Sequence, residues 1–150
     1  MRSLLTAIAA GVVILATGCG GSNRLSADAY RAKLHAINGE VSKAEGQAQA
    51  TIVKARSVDE IVRALAQVAR AHDRIGDEVA DLKPPENAEA ANELYVRGSH
   101  DLADEIRAVL PRLSALESPR KAQAYLGRLG NAKGGRELDQ AVAEWKQKGY

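Results

Sequence analysis

The chain of 150 residues has one cysteine, Cys19, so no intramolecular disulfide can form and packing alone must hold the fold. Phenylalanine is absent and aromatic residues make up 3%, which leaves Ala, Leu, Val and Ile to fill the core. A formal net charge of +2 lacks the strongly basic balance of a nucleic-acid binder. No stretch alternates apolar and polar residues with period two, so no strand is expected. Metal chemistry is equally short of ligands. No two histidines stand four apart, and the residues three before His35, His72 and His100 are Ala32, Ala69 and Arg97 rather than glutamates. No phosphate-binding glycine loop opens a helix after a strand. Ser99 and His100 adjoin, but neighbours on a helix point about 100° apart and cannot form a nucleophile–base pair. The expectation is a non-enzyme with no metal and no cofactor.

What is present is 45% hydrophobic and 27% charged sequence, enough for one globular domain. The first segment differs from the rest. Arg2 supplies a positive start, Leu4 to Ala16 an apolar run of 13 residues, and small residues follow. That is the layout of a secretory signal peptide, and the run is too short for a comfortable membrane span.

Leu15-Ala16-Thr17-Gly18-Cys19 resembles the lipobox of bacterial lipoproteins, although Ala16 stands where leucine is commonest. The resemblance implies cleavage after Gly18, a diacylglycerol thioether on Cys19 carrying chains such as palmitate, and a protein held on the outer face of the cell membrane. Residues 1–18 are then the signal peptide, 19–25 the lipidated cysteine and a flexible tether, and 26–150 the folded domain. Two acyl chains give a stable anchor where one is marginal, at about 0.8 kcal/mol per buried methylene. A glycine-flanked Cys19 has no neighbouring base or cation to make it a nucleophile.

The folded part reads as helices. Tyr30, Leu34, Ile37, Val41, Ala44, Ala48 and Thr51 recur in steps of three and four behind a capping Ser26, with Gly39 and Gly46 weakening the helix by up to about 1 kcal/mol each. Ser57-Val58-Asp59-Glu60 is a capping box opening a second helix with the seam Val58, Ile61, Leu65, Val68, His72, Ile75, Val79 and Leu82. Pro84-Pro85 ends it. The third helix carries Ala91, Tyr95, Gly98, Leu102, Ile106, Val109, Leu113 and Leu116, with a kink or stop expected near Pro111. Ser118-Pro119 opens a fourth, which falters over Gly130 to Gly135 and resumes through Leu138, Val142 and Trp145. Similar lengths and short turns predict an all-α, up-down four-helix bundle with its last helix broken near Gly130–Gly135. Together with "LKPPENAEAANEL", Leu82 to Leu94, the lipobox and the Ala-rich helices are similar to small exported lipoproteins of actinobacteria; the likeness implies fold and address and no catalytic residue.

Two candidate sites follow. A hairpin about Pro84-Pro85 that pairs residues whose numbers add to about 168 would bring His72 beside Tyr95 and Gly98. That arrangement gives either a buried His72–Tyr95 hydrogen bond or, with Tyr30, the lining of a small-ligand pocket in the bundle core. The other candidate is the basic last segment, Arg128, Lys133, Arg136, Trp145, Lys146 and Lys148, as a surface for an envelope polymer or partner protein, Trp145 being alternatively a core anchor. The stripe Asp73, Asp77 and Asp81 calls for neutralising cations, with Arg70, Arg74 or the basic fourth helix as the expected donors.

Overall fold

The structure, a computed structural model, describes residues 23–127 and 132–150. Cys19 and Arg128 lie outside the described residues, as do the expected signal peptide and most of the expected tether. Five helices pack against one another: α1 (Ala27–Lys54), α2 (Val58–Ala80), α3 (Glu89–Ser114), α4 (Pro119–Leu126) and α5 (Lys133–Gln147). A 3-10 turn, Glu86–Ala88, precedes α3, and no strand occurs among the described residues. None of the described helices is long and apolar enough to cross a membrane.

Three serines start three helices by the same chemistry. The hydroxyl oxygens of Ser26, Ser57 and Ser118 accept the backbone amides of Ala29, Glu60 and Lys121, each satisfying one of the amides that a helix start leaves without an internal partner. Glu60 completes its half of the box one residue early, accepting the amide of Arg56 at 2.8 Å. Helix α5 has no capping side chain of its own. Instead the Glu105 carboxylate of α3 accepts the amides of Lys133 and Gly134 at 2.8 and 3.2 Å, so a neighbouring helix supplies the cap. Helix α3 runs through Pro111 and ends within a turn of it, at Ser114.

The expected fourth helix is two helices. Helix α4 tucks Ala122 against Ile61 and Leu113, whereas α5 lies along α3 and places Ala141 and Trp145 in the core. Gly134 and Gly135, read from sequence as part of a break, sit inside the first turn of α5.

Helix α3 is central. It packs on α2 and on α5, and α1 packs on α2. Ion pairs tie neighbouring helices together: Arg74 to Glu40 between α1 and α2, Arg107 to Asp73 between α2 and α3, and Lys133 to Asp101 between α3 and α5. The α2 seam is as read, with Ile61, Val68, His72, Ile75 and Val79 buried. Helix α3 also buries residues beyond the single stripe, Asn92, Ser99 and Ala103 on one side of it and Leu94 on the other.

Three apolar clusters form the core. One joins Tyr30, Leu34 and Ile37 to Ile75, Val79, Tyr95 and Trp145; a second holds Ala48, Ala64 and Val68; the third holds Ile61, Leu113 and Ala122. Leu25 and Tyr150 both close on the first cluster. The Leu25 amide donates to the Lys83 carbonyl at 2.7 Å, and Arg24 reaches the Pro84 carbonyl and Glu89. Gly149, at φ 84°, turns the chain so that Tyr150 packs edge-on to Tyr30 with ring centres 5.3 Å apart and donates its hydroxyl proton to Asn87 at 2.6 Å.

Candidate functional site

The first and second clusters are separated by polar residues at the level where α1, α2 and α3 meet. On α1, Val41 and Ala44 are only partly buried between Ile37 and Ala48. His72 on α2, 2% exposed, and Ser99 on α3, fully buried, occupy this level. Their alignment follows from the hairpin. The Asn92 amide donates to the Val79 carbonyl at 3.2 Å, and His72 and Ser99 each lie one heptad further along from that contact.

His72 Nε2 lies 3.2 Å from Glu45 Oε1, and that glutamate is half exposed between α1 and α2. His72 Nδ1 and Ser99 Oγ have no hydrogen-bond partner. The result is a carboxylate–imidazole pair whose carboxylate reaches solvent and whose second nitrogen faces inward.

Two tyrosine–asparagine bonds lie on one side of this level, toward the end that holds Tyr30. Tyr95 donates its hydroxyl proton to Asn38 at 3.2 Å, and Tyr30 donates to Asn92 at 2.8 Å. Burial, with the Glu45 carboxylate adding to it, pushes the Tyr95 phenol up to about 12. Burial likewise holds the Tyr30 phenol well above its ordinary value. Both hydroxyls therefore stay protonated donors across the neutral range.

The expected His72–Tyr95 hydrogen bond is replaced by two separate bonds to α1. Its register was wrong because the helices are joined by residues 81–88, which include an extended Pro-Pro pair and a 3-10 turn, not a tight symmetrical turn. Contacts pair Val79 with Asn92, Gly76 with His100 and Asp73 with Arg107, so His72 is level with Ser99. Gly98 does not open toward His72 either. A β-carbon there would lie 3.0 Å from the Gly134 carbonyl oxygen and the Leu138 amide nitrogen, so Gly98 faces α5. Tyr30 belongs to the same buried cluster as Tyr95 but at the end that holds Leu25 and Tyr150.

The basic last segment does not assemble as one surface. Trp145, 3% exposed, is a core residue, tilted against Tyr95 at 4.9 Å and edge-on to Tyr30 at 6.2 Å. Lys133 is committed to Asp101 at 2.6 Å and approaches Glu137 at 3.8 Å, which keeps the Asp101 carboxyl below the usual range and raises the lysine. Arg136 is engaged by neighbouring groups, whereas Lys146 and Lys148 are exposed. The physical reason is periodicity: Ala141 and Trp145 fall on the buried stripe of α5, so Trp145 points away from the surface that carries Lys146.

The Asp73–Asp77 stripe is neutralised from α3, not from Arg70 or the last helices. Arg107 pairs with Asp73 and with Asp104 at 3.0 Å, and it holds the Asp73 carboxyl below the usual range. His100 lies between Asp73 and Asp77, at 3.7 and 3.5 Å, with its ring stacked over Gly76. No group of three or more His, Cys, Asp or Glu side chains among the described residues has the geometry to hold a metal ion.

Sequence reasoning missed Glu45, Asn38 and Ser99. A signal existed for the first two: Asn38 and Glu45 are one heptad apart, each beside a seam position of α1. Ser99 gave none, because nothing in a one-face stripe marks what a central helix buries beside it. Compared with protein-family models, curated proteins and solved structures, the chain matches none.

Proposed function

We propose that the chain is an exported lipoprotein anchored through Cys19 to the outer face of the cell membrane, and that its bundle acts by contact with an envelope polymer or partner protein, without catalysis. In this reading residues 1–18 are removed as a signal peptide and α1, α2, α3 and α5 form an up-down four-helix bundle, with α4 closing one end. One observation carries the reading beyond the lipobox: Arg24 and Leu25 are fastened to the α2–α3 connection. Only residues 20–23 separate Cys19 from that fastening, a span of at most about 18 Å when fully extended. The end holding both Leu25 and Tyr150 then stands close to the lipid, and the opposite end of α1 stands about 40 Å further out.

The test is mass spectrometry of the mature protein with membrane fractionation, using Cys19→Ser as control. The expected result is a mature chain starting at a diacylglyceryl-modified Cys19 in the membrane fraction, and loss of that processing in the variant. A membrane-bound chain with an unmodified Cys19 thiol contradicts the reading.

A second reading, a small-ligand carrier or sensor, is favoured by one specific observation, the unpartnered inward atoms His72 Nδ1 and Ser99 Oγ. It expects a metabolite-induced rise in melting temperature that His72→Leu abolishes; no rise across a broad metabolite panel removes it.

A further inference from the structure

The described arginines fall into two sets. Arg24, Arg31, Arg74, Arg97 and Arg107 each pair with a carboxylate, and Arg136 is engaged as well. Arg56, Arg63, Arg70, Arg112 and Arg120 are all exposed, and their guanidinium groups pair with no carboxylate. These five share one half of the molecule: the end of α1, the first half of α2, the end of α3 and the start of α4. Over residues 52–70 and 109–127, seven cations stand against three carboxylates, whereas the remaining described residues carry twelve cations and sixteen carboxylates. The fold thus converts a chain of nearly balanced charge into a body with about four excess positive charges in one half and four excess negative in the other.

Local needs account for only some of the cations. Of the three carboxylates in the basic half, Glu60 is bound to the Arg56 amide and Glu117 pairs with Lys121. Arg112 lies in the last turn of α3, where a cation suits the helix dipole. Arg120 and Lys121 occupy the first turn of α4, which has no acidic residue and where the dipole favours anions. Arg63 and Arg70 lie one heptad, about 10 Å, apart on the outer face of α2.

We propose that this arginine-rich end of the bundle docks a linear, phosphate-bearing polyanion. Guanidinium groups bind phosphate oxygens through paired N–H donors and outnumber lysines five to two here. The cations pass from the tip of the bundle onto the flank of α2, a path that a flexible chain follows and a flat bilayer does not. A folded protein partner would need an apolar centre. The single large exposed hydrophobic residue among the described residues is Val53. The proposal rests on the contact reading above but not on the Cys19 anchor, so the two fail separately.

The experiment uses the full chain purified in detergent and labelled long-chain inorganic polyphosphate as the probe, followed by fluorescence anisotropy. Binding should be salt-sensitive and should weaken by about tenfold or more in Arg63→Gln/Arg112→Gln/Arg120→Gln. The comparison variant Lys33→Gln/Lys43→Gln/Lys146→Gln removes the same charge from exposed, unpaired lysines elsewhere and should change affinity by less than about twofold. Circular dichroism and melting confirm that each variant is folded; if the arginine triple is not, Arg63→Gln alone, an exposed helical exchange, takes its place with Lys33→Gln as comparison and a factor of about two expected. No binding of polyphosphate, equal losses in the two variants, or equally effective competition by polyglutamate or by phosphatidylglycerol-containing micelles each overturns the proposal.

Discussion

Two glycines of α1, Gly39 and Gly46, and two at the α3–α5 contact, Gly98 and Gly134, have opposite consequences. Around Gly39 and Gly46 of α1 a β-carbon would meet nothing within 4 Å. At Gly134 of α5 a β-carbon would lie 2.6 Å from the Gly98 carbonyl oxygen and 2.7 Å from the Leu102 α-carbon, so the backbones of α3 and α5 are in direct contact there. Helix propensity penalises the interior glycines Gly39, Gly46 and Gly98 by about 1 kcal/mol each. Only Gly98 recovers it, through an approach of α3 and α5 that any larger residue would prevent. Helix α1 pays without return, and between Ile37 and Ala48 it buries no apolar side chain completely. The molecule is therefore a tightly apposed α2–α3–α5 unit with α1 laid along it as a strap, pinned hardest where Tyr30 meets Asn92, Trp145 and Tyr150.

The contrast sharpens into measurable differences. Trp145→Ala should have the largest effect, a loss of about 3–5 kcal/mol in chemical denaturation, because it empties the site where α5 meets Tyr30 and Tyr95. Gly134→Ala should destabilise by about 1–3 kcal/mol, since the conflict is with backbone that cannot rotate away. Its α1 counterparts should move the other way. Gly39→Ala and Gly46→Ala should each stabilise by about 0.5–1 kcal/mol in the same assay, and a loss at either would refute the description of these two glycines as facing open space.

The smallest effect concerns acid. The carboxyls of Asp73 and Asp101 sit below their ordinary values because Arg107 and Lys133 favour the charged forms. A depressed carboxylate contributes stability that is present above the unfolded-state value, about 3.9, and is lost as pH falls through the folded-state value. The melting temperature should therefore change little from these groups between pH 7 and 5 and decline below about pH 4. Asp73→Asn should remove part of that decline, and added salt should shrink the difference, because both pairs are partly exposed.

How much of this could be read in the sequence depends on whether a feature is local. Ser26, Ser57 and Ser118 each cap the helix they were expected to cap, because capping involves residues three apart. The buried seam of α2 was legible for the same reason, as it packs one continuous stripe. Register was not, because the length of the α2–α3 connection cannot be read from its two prolines, and an error of a few residues moved His72 from Tyr95 to Ser99. The break expected near Gly130–Gly135 does part α4 from α5, but Gly134 and Gly135 belong to α5 itself. Gly134 has the composition of a break, and its role as a point of backbone contact exists only once α5 lies on α3. The free arginines were equally hidden, since a charge is unpaired only with respect to neighbours that the fold supplies.

Native-state hydrogen exchange tests the strap-and-unit account most directly. The amides of α1 between Gly39 and Ala48 should exchange through openings of distinctly lower free energy than those of α3 between Asn92 and Ala103, and Gly46→Ala should narrow the gap. Equal protection in the two segments, with both exchanging only on global unfolding, would contradict it.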